Sequence, residues 1–237
     1  MNSLIDVSYN FQTNLGGRDA DRYSPILQEY HRFLWSKPLP NGKEFTLEKI
    51  TQNRLYHKSE LGEYYLSSDR AIATFLKWER TKHIISQIPT IEIEKFRHIS
   101  DTIGGIVIWP SNKIDRKNTI NGERGFNRKI SDRLDLTIEC IRRYYRDENS
   151  PLQETFKRYC DFFSLFYDFK GYIDFFLLQD MVSNDYSTVK IATYFDNFTT
   201  SPVPNSIEEY LIYKDNTIKF VEERNTRIAN LYQSNSD

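Results

Sequence analysis

The apolar positions repeat with a helical period through most of the second half of the chain and with a strand period at a few places in the first. Leu134, Ile138, Ile141 and Tyr145 fall at i, i+4, i+7 and i+11 and predict an amphipathic helix beginning near Ser131. Ser150, Pro151 and Gln153 form a stop-then-start signal, and Leu152, Phe156, Tyr159, Phe163 and Phe166 supply the next stripe, broken at Gly171. "YIDFFLLQDMV" is apolar nearly all round and predicts a central helix, with a buried strand as the alternative. Ser206 and Glu209 make a second capping box for a last helix reaching about Tyr232, followed by a frayed tail.

The first half is more mixed. Residues 1–23 are polar and loop-like. Ser24-Pro25 opens a helix with Leu27, Tyr30 and Leu34 inward, and "SKPLPNG" ends it. "EFTLEKI" and "GEYYLSS" alternate as short strands, and Asp69 is placed to cap a helix over about 70–87. "TIGGIVIW" (102–109) is β-branched, apolar and stopped by Pro110, which predicts a buried strand with Gly104-Gly105 at a bulge or a close backbone approach. A long polar loop over 111–130 follows, and "TVKIATYF" (188–195) predicts a further strand. Together these elements predict one α+β domain, mostly helical, with a small sheet from the N-terminal half. Its mixed part spans about 17–110 and its helical part about 131–232.

Composition changes this picture in three ways. Aromatics make up 15% of 237 residues, with 16 Phe and 16 Tyr, so large rings supply the core despite a mean hydropathy of −0.63. A net charge of −1 argues against a strong sequence-independent grip on nucleic acid. Cys140 and Cys160 form no disulfide framework and are expected as buried thiols. No run of membrane-spanning length and no secretion signal is found, so the expected location is the cytoplasm, with no membrane partner.

The phrases "YHRFLWSKPLPNG", "YLSSD", "DTIGGIVIWP", "TINGERG", "SDRLDLTIECIRRYY", "DFKGYIDFFLLQD" and "FVEERNTRI" resemble a bacterial family known only as a domain of unknown function, over roughly Gly17 to Ile228. That resemblance implies a cytosolic domain and carries no activity.

Four constellations carry candidate chemistry. "LYHKS" followed by "GEYYLSSDRAIATF" is similar to two signature phrases of ADP-ribosyltransferases. The resemblance implies NAD as cofactor, His57 at the ribose, Tyr64 or Tyr65 against nicotinamide, and a later Glu orienting the ribose hydroxyl. Glu123 and Glu139 are candidates for that Glu, and the set taken forward as catalytic is His57, Tyr65 and Glu139. "TIGGIVIWPSNKIDRKNTIN" resembles the strand-and-Asn segment of His-Asn-His nucleases, but Asp101 stands where the His is needed and His98 is three residues early, so a nuclease here is degenerate. The basic 111–130 segment is a third candidate: Lys113, Asn121 and Arg124, with Arg133 at the next helix start, have the chemistry to cradle phosphates. Last, Asp135, Glu139, Arg142 and Arg143 form an ionic face, where a buried pair beside a pocket would signal function rather than a solvated ladder. His31, His57, His83 and His98 have no metal spacing, and no metal site is expected. The expectation is an enzyme of the toxin or phage-defence kind acting on a nucleotide or nucleic acid, with a degenerate nuclease and a non-catalytic protein-binding module as alternatives.

Overall fold

The first helices start where side-chain oxygens accept the free N–H groups of a first turn. In the computed structural model, which describes residues 5–42, 46–50, 54–59 and 62–234 (46–50, 54–59 and Gly62 by their backbone), Asn10 Oδ1 accepts from the amides of Gln12 (3.0 Å) and Thr13 (2.8 Å) and opens α1 (Phe11–Leu15). The short α2 (Ala20–Tyr23) follows. Ser24 Oγ then accepts from Leu27 N at 3.1 Å and Pro25 takes the first helical position of α3 (Pro25–Ser36), as expected from sequence.

Four strands form an antiparallel meander in the order β1 (Thr46–Ile50), β2 (Arg54–Ser59), β3 (Gly62–Arg70) and β4 (Ile106–Pro110). Between β3 and β4 lie α4 (Lys82–Ile85) and α5 (Thr90–Ser100). After β4 come α6 (Ile120–Phe126), α7 (Leu134–Tyr145), α8 (Gln153–Arg158), α9 (Cys160–Ser164), α10 (Phe169–Phe175) and the long α11 (Ile207–Ser234). The chain is therefore an α+β protein, mostly helical, with its small sheet contributed by the first half.

Several expectations are corrected. No helix fills 70–87: β3 continues to Arg70, opposite Ile106, and Ala71 N donates to Gly105 O at 2.9 Å. Asp69, expected as a helix cap, is a strand residue. Within 102–109 the strand proper begins at Ile106, because Ile103–Gly105 turns as a 3-10 helix. The expected 111–130 loop contains α6, capped by Thr119 Oγ1 and drawn in by the buried Ile120. The stripe from Leu152 breaks into α8 and α9, and α8 starts at Gln153 without the Ser150 cap. At 188–195 only a single bridge, Val182↔Val189, forms. The bridge consists of Ser183 N to Thr188 O (3.0 Å) and Lys190 N to Met181 O (2.8 Å), and the next amide in step, Ala192 N, goes to the Asp135 carboxylate instead (3.0 Å). Cys140 is buried as expected, but Cys160 is exposed. Of the expected frayed tail, Gln233 and Ser234 complete α11, and 235–237 lie outside the described residues.

The core is aromatic. Phe156, Phe162, Phe163, Phe166, Tyr172 and Phe176 are fully buried and meet edge to face or tilted at centroid distances such as 4.9 Å for Phe156–Phe163 and 4.8 Å for Tyr172–Phe176. Those stripes are explained by packing and leave no ring over for a ligand. Gly104 and Gly105 allow α11 and α5 to approach: a Cβ on Gly104 would meet Val221 O at 2.5 Å, and one on Gly105 would meet Ser100 O at 2.2 Å. Asn225 Oδ1 accepts from Gly104 N at 2.7 Å and closes that contact.

Candidate functional site

The β2–β3 register ends at Leu55↔Leu66, so β3 runs on four residues further, Ser67 to Arg70, with only β4 alongside. On the edge beyond β2 the Ser68 amide donates instead to Asp21 Oδ2 of α2 at 3.0 Å. This brings an acidic side chain to the end of the sheet. From α3, the buried His31 places Nε2 at 2.5 Å from Ser68 Oγ and 3.6 Å from Asp21 Oδ1.

Asp, His and Ser at one point suggest a nucleophilic triad, but the geometry rules it out. In such a triad the acid and the nucleophile hold opposite ring nitrogens. Here both approach Nε2, and Nδ1 has no hydrogen-bond partner among the described residues. Burial holds the His31 pKa below its usual value, so the ring is neutral and the Asp21 contact is no ion pair at neutral pH. Burial also works against the Asp21 carboxylate, but the His31 ring 3.6 Å away and the bond from Ser68 outweigh it and keep Asp21 ionised.

Asp69 behaves differently. Tyr65, Ser67 and Asp69 alternate along one side of β3. The half-buried Asp69 carboxyl is pushed up to about 7, first by burial and then by the neighbouring Asp21 charge; the Arg124 charge and the Ser67 hydroxyl only partly offset this. Its Oδ1 accepts from Asn121 Nδ2 at 2.8 Å, and Asn121 Oδ1 accepts from Arg124 Nη1 at 3.4 Å. Arg124 thereby fixes which end of the Asn121 amide faces Asp69.

Arg124 itself is fully buried, with its guanidinium 5.3 Å from the Trp109 ring centroid. All five of its N–H groups are used, on Thr137 Oγ1, Asn121 Oδ1, Asp132 Oδ1, Ala71 O and Asp132 O. Ser131 and Asp132 hold left-handed φ angles of 47° and 65°, which aim both Asp132 oxygens at Arg124. Such strain, on the order of 1–3 kcal/mol per residue, persists only where neighbours impose it.

The residues expected from sequence separate into groups. Asn121 and Arg124 converge on Asp69, but Arg124 is saturated and has no N–H left to cradle a phosphate. Arg133 is buried elsewhere, on Asp135 Oδ1 (3.0 Å), Asp135 Oδ2 (2.5 Å), Thr193 Oγ1 (2.7 Å) and Pro202 O (3.0 Å). Lys113 is exposed on the segment leading into α6. Tyr65 is half-buried on β3, its amide donating to Asn112 Oδ1 at 2.5 Å. The His57 backbone lies on β2 opposite Tyr64, and its side chain is outside the described residues. Glu139 is not brought to this end of the sheet: on α7 it accepts from Arg142 Nε (2.8 Å) and Arg143 Nε (2.7 Å), and those bonds outweigh burial and hold its pKa below the usual value. Asp174 is held by Lys170 and the Tyr186 hydroxyl, and Asp180 is paired with Arg227.

Asp21, His31 and Asp69 were missed as site residues. The signal for Asp69 was the strand alternation running past "GEYYLSS" into "DR". Nothing local marked Asp21 or His31. Among the described residues no group of three or more His, Cys, Asp or Glu side chains is placed to hold a metal, and no helix is long and apolar enough to cross a membrane. No curated protein and no solved structure matches the chain. A model of a family of unknown function matches residues 5–228, nearly the whole sequence, and the chain belongs to that family, DUF6994.

Proposed function

We propose that this protein is an enzyme acting on a nucleotide or nucleic-acid substrate, with Asp69 as its proton-transfer group, Asn121 as the residue that orients Asp69, and Asp21 as the fixed negative charge beside it. One observation carries this: a half-buried carboxyl at a strand end, raised to about 7, whose Oδ1 is occupied by Asn121 and whose Oδ2 is left to hold the proton. A group that titrates near neutrality can give a proton to a leaving group and take one back in the same cycle. The anionic substrate class is supported by the exposed cations flanking α6: Lys113, Arg116 and Lys117 before it, Arg128 and Lys129 after it.

NAD is the first substrate to try. Its N-glycosidic bond breaks with the electron pair going to the ring nitrogen, so the nicotinamide base leaves neutral without a proton, and the step Asp69 suits is taking the proton from the water or hydroxyl that attacks the ribose. Tyr65, on the same side of β3, offers a ring for that base. Asp69 then takes the acidic role that Glu139, closed by two arginines, does not fill.

The test is to incubate purified protein with NAD, nucleoside triphosphates and RNA and to follow products by liquid chromatography. Wild type should turn over one of them and Asp69→Asn should lose at least a hundredfold, since general acid–base catalysis contributes about 10²–10⁴-fold. Turnover by Asp69→Asn equal to wild type, or no turnover of any of these by wild type, overturns the proposal.

A further inference from the structure

A cavity of about 310 Å³ lies away from Asp69, between one face of α11 and the segments around Met181 and Ile191. α11 supplies Tyr213, Thr217 and Phe220, one turn apart, and with Ile72, Leu134 and Met181 the two rings make a buried apolar floor, while Asp135, Asp180, Lys190, Asn216, Lys219 and Glu223 make most of the rest of the lining polar. The opposite wall belongs to a stretch, 183–206, with no regular secondary structure beyond one bridge. Irregular stretches of that length are uncommon in compact proteins unless they serve a site.

This wall is pinned from within. Asp135 uses both oxygens: Oδ1 accepts from Arg133 Nε and the Leu136 amide, and Oδ2 from Arg133 Nη2 and the Ala192 amide. Arg133 reaches on to Thr193 Oγ1 and Pro202 O. The Lys190 amide is tied to Met181 O and the Asn216 side chain to Ala192 O. The buried Arg133–Asp135 pair thus builds the cavity wall, a binding-site frame rather than a solvated ladder.

The charges at the mouth do not all cancel. Asp180 is paired with Arg227, Asp135 with Arg133, and Lys219 stands 3.9 Å from Glu223. Among the described residues Lys190, exposed on the rim, has no carboxylate partner. A preformed cavity of this size with an apolar floor, a polar rim and one uncommitted cation at its mouth is complementary to a flat apolar body bearing one acidic group.

We propose that this cavity binds a small aromatic anion, its ring system inside against Phe220, Tyr213 and Met181 and its acidic group at the Lys190 ammonium. The shared chemistry is met by an aromatic carboxylate and by a nucleoside monophosphate. The site does not depend on Asp69, and binding, not turnover, is its readout.

Isothermal titration calorimetry of the full chain with adenosine monophosphate, indole-3-carboxylate, adenosine, indole and inorganic phosphate tests it. At least one of the two anions should bind saturably, and which one identifies the source. Its neutral parent should bind roughly tenfold more weakly, and phosphate alone should not saturate. Lys190→Ala should cost the anion the same factor and leave the neutral parent unchanged. Ala192→Trp should fill the cavity and abolish binding with the melting temperature retained, while Asp69→Asn should bind as wild type does. Saturation by neither anion, or anion affinity unchanged in Lys190→Ala or in a folded Ala192→Trp, overturns the proposal.

Discussion

Replacing Arg224 by Met should be the most damaging change of a single polar side chain outside the candidate site. Arg224 sits on α11 and is fully buried. Its Nε and Nη2 donate to Phe176 O (3.1 and 3.0 Å), Nη1 to Gly104 O (2.9 Å) and Ile106 O (2.6 Å), and Nη2 also to the Tyr30 hydroxyl (3.2 Å). Every partner is an uncharged oxygen, so the guanidinium works as a five-pronged donor joining α11 to α10, the start of β4, and α3. Met fills the stem's volume but leaves the three carbonyl oxygens without these donors in a dry core. Each buried unsatisfied acceptor costs about 1–3 kcal/mol. The full sum is not reached, because removing the guanidinium also removes its own desolvation cost, and losses from breaking such networks centre on about 3–5 kcal/mol. For a chain of this length that is a fall of roughly 6–20 °C in melting temperature. Arg224→Lys keeps the charge but not the planar fork, and should fall between the two. Urea unfolding followed by circular dichroism measures the effect. A Met variant within about 1 kcal/mol of wild type, or more stable than Lys, would show that the carbonyls find other donors and that Arg224 is not the joint.

Two further outcomes follow from the same contacts. Asp69 titrates near 7 in the folded protein and near 3.8 in the unfolded chain, so between those values the folded state holds the extra proton. Stability should therefore fall as pH rises from about 4 to about 7, by on the order of 2 kcal/mol after discounting for partial solvent access, and Asp69→Asn should flatten that slope in melting temperatures taken across this range. A slope unchanged by the substitution refutes the shift. Gly104→Ala would set its Cβ 2.5 Å from Val221 O and should destabilise by about 1–3 kcal/mol through displacement of α11, read by urea unfolding; a neutral result would show that the helix yields freely.

Much of the framework was legible in the linear chain. α3 follows from Ser24-Pro25 and its apolar spacing, α7 from the Leu134–Tyr145 stripe, and α11 from the Ser206–Glu209 box, where Glu209 N donates to Ser206 Oγ at 3.1 Å and Asn205 N to Glu209 Oε2 at 2.9 Å. The aromatic core was equally plain. These features are settled within a turn or two of backbone, so neighbouring residues suffice to specify them.

The candidate site was not legible, because each of its members has an ordinary local explanation. Asp69 before "RAIATF" fits a helix cap as well as a strand end. Only the pairing of Arg70 with Ile106 decides the matter, and the bond that defines its role comes from Asn121, 52 residues away. Arg124 and Arg133 carry the chemistry of phosphate ligands in the sequence, yet tertiary packing commits one to the Asp132 turn and the other to the cavity wall. The sequence by itself determined the helices α3, α7 and α11, their buried faces and where the rings gather. Tertiary structure alone decided which charges are neutralised and which remain available, because desolvation and pairing depend on residues far apart in the chain meeting in a medium that cannot solvate them.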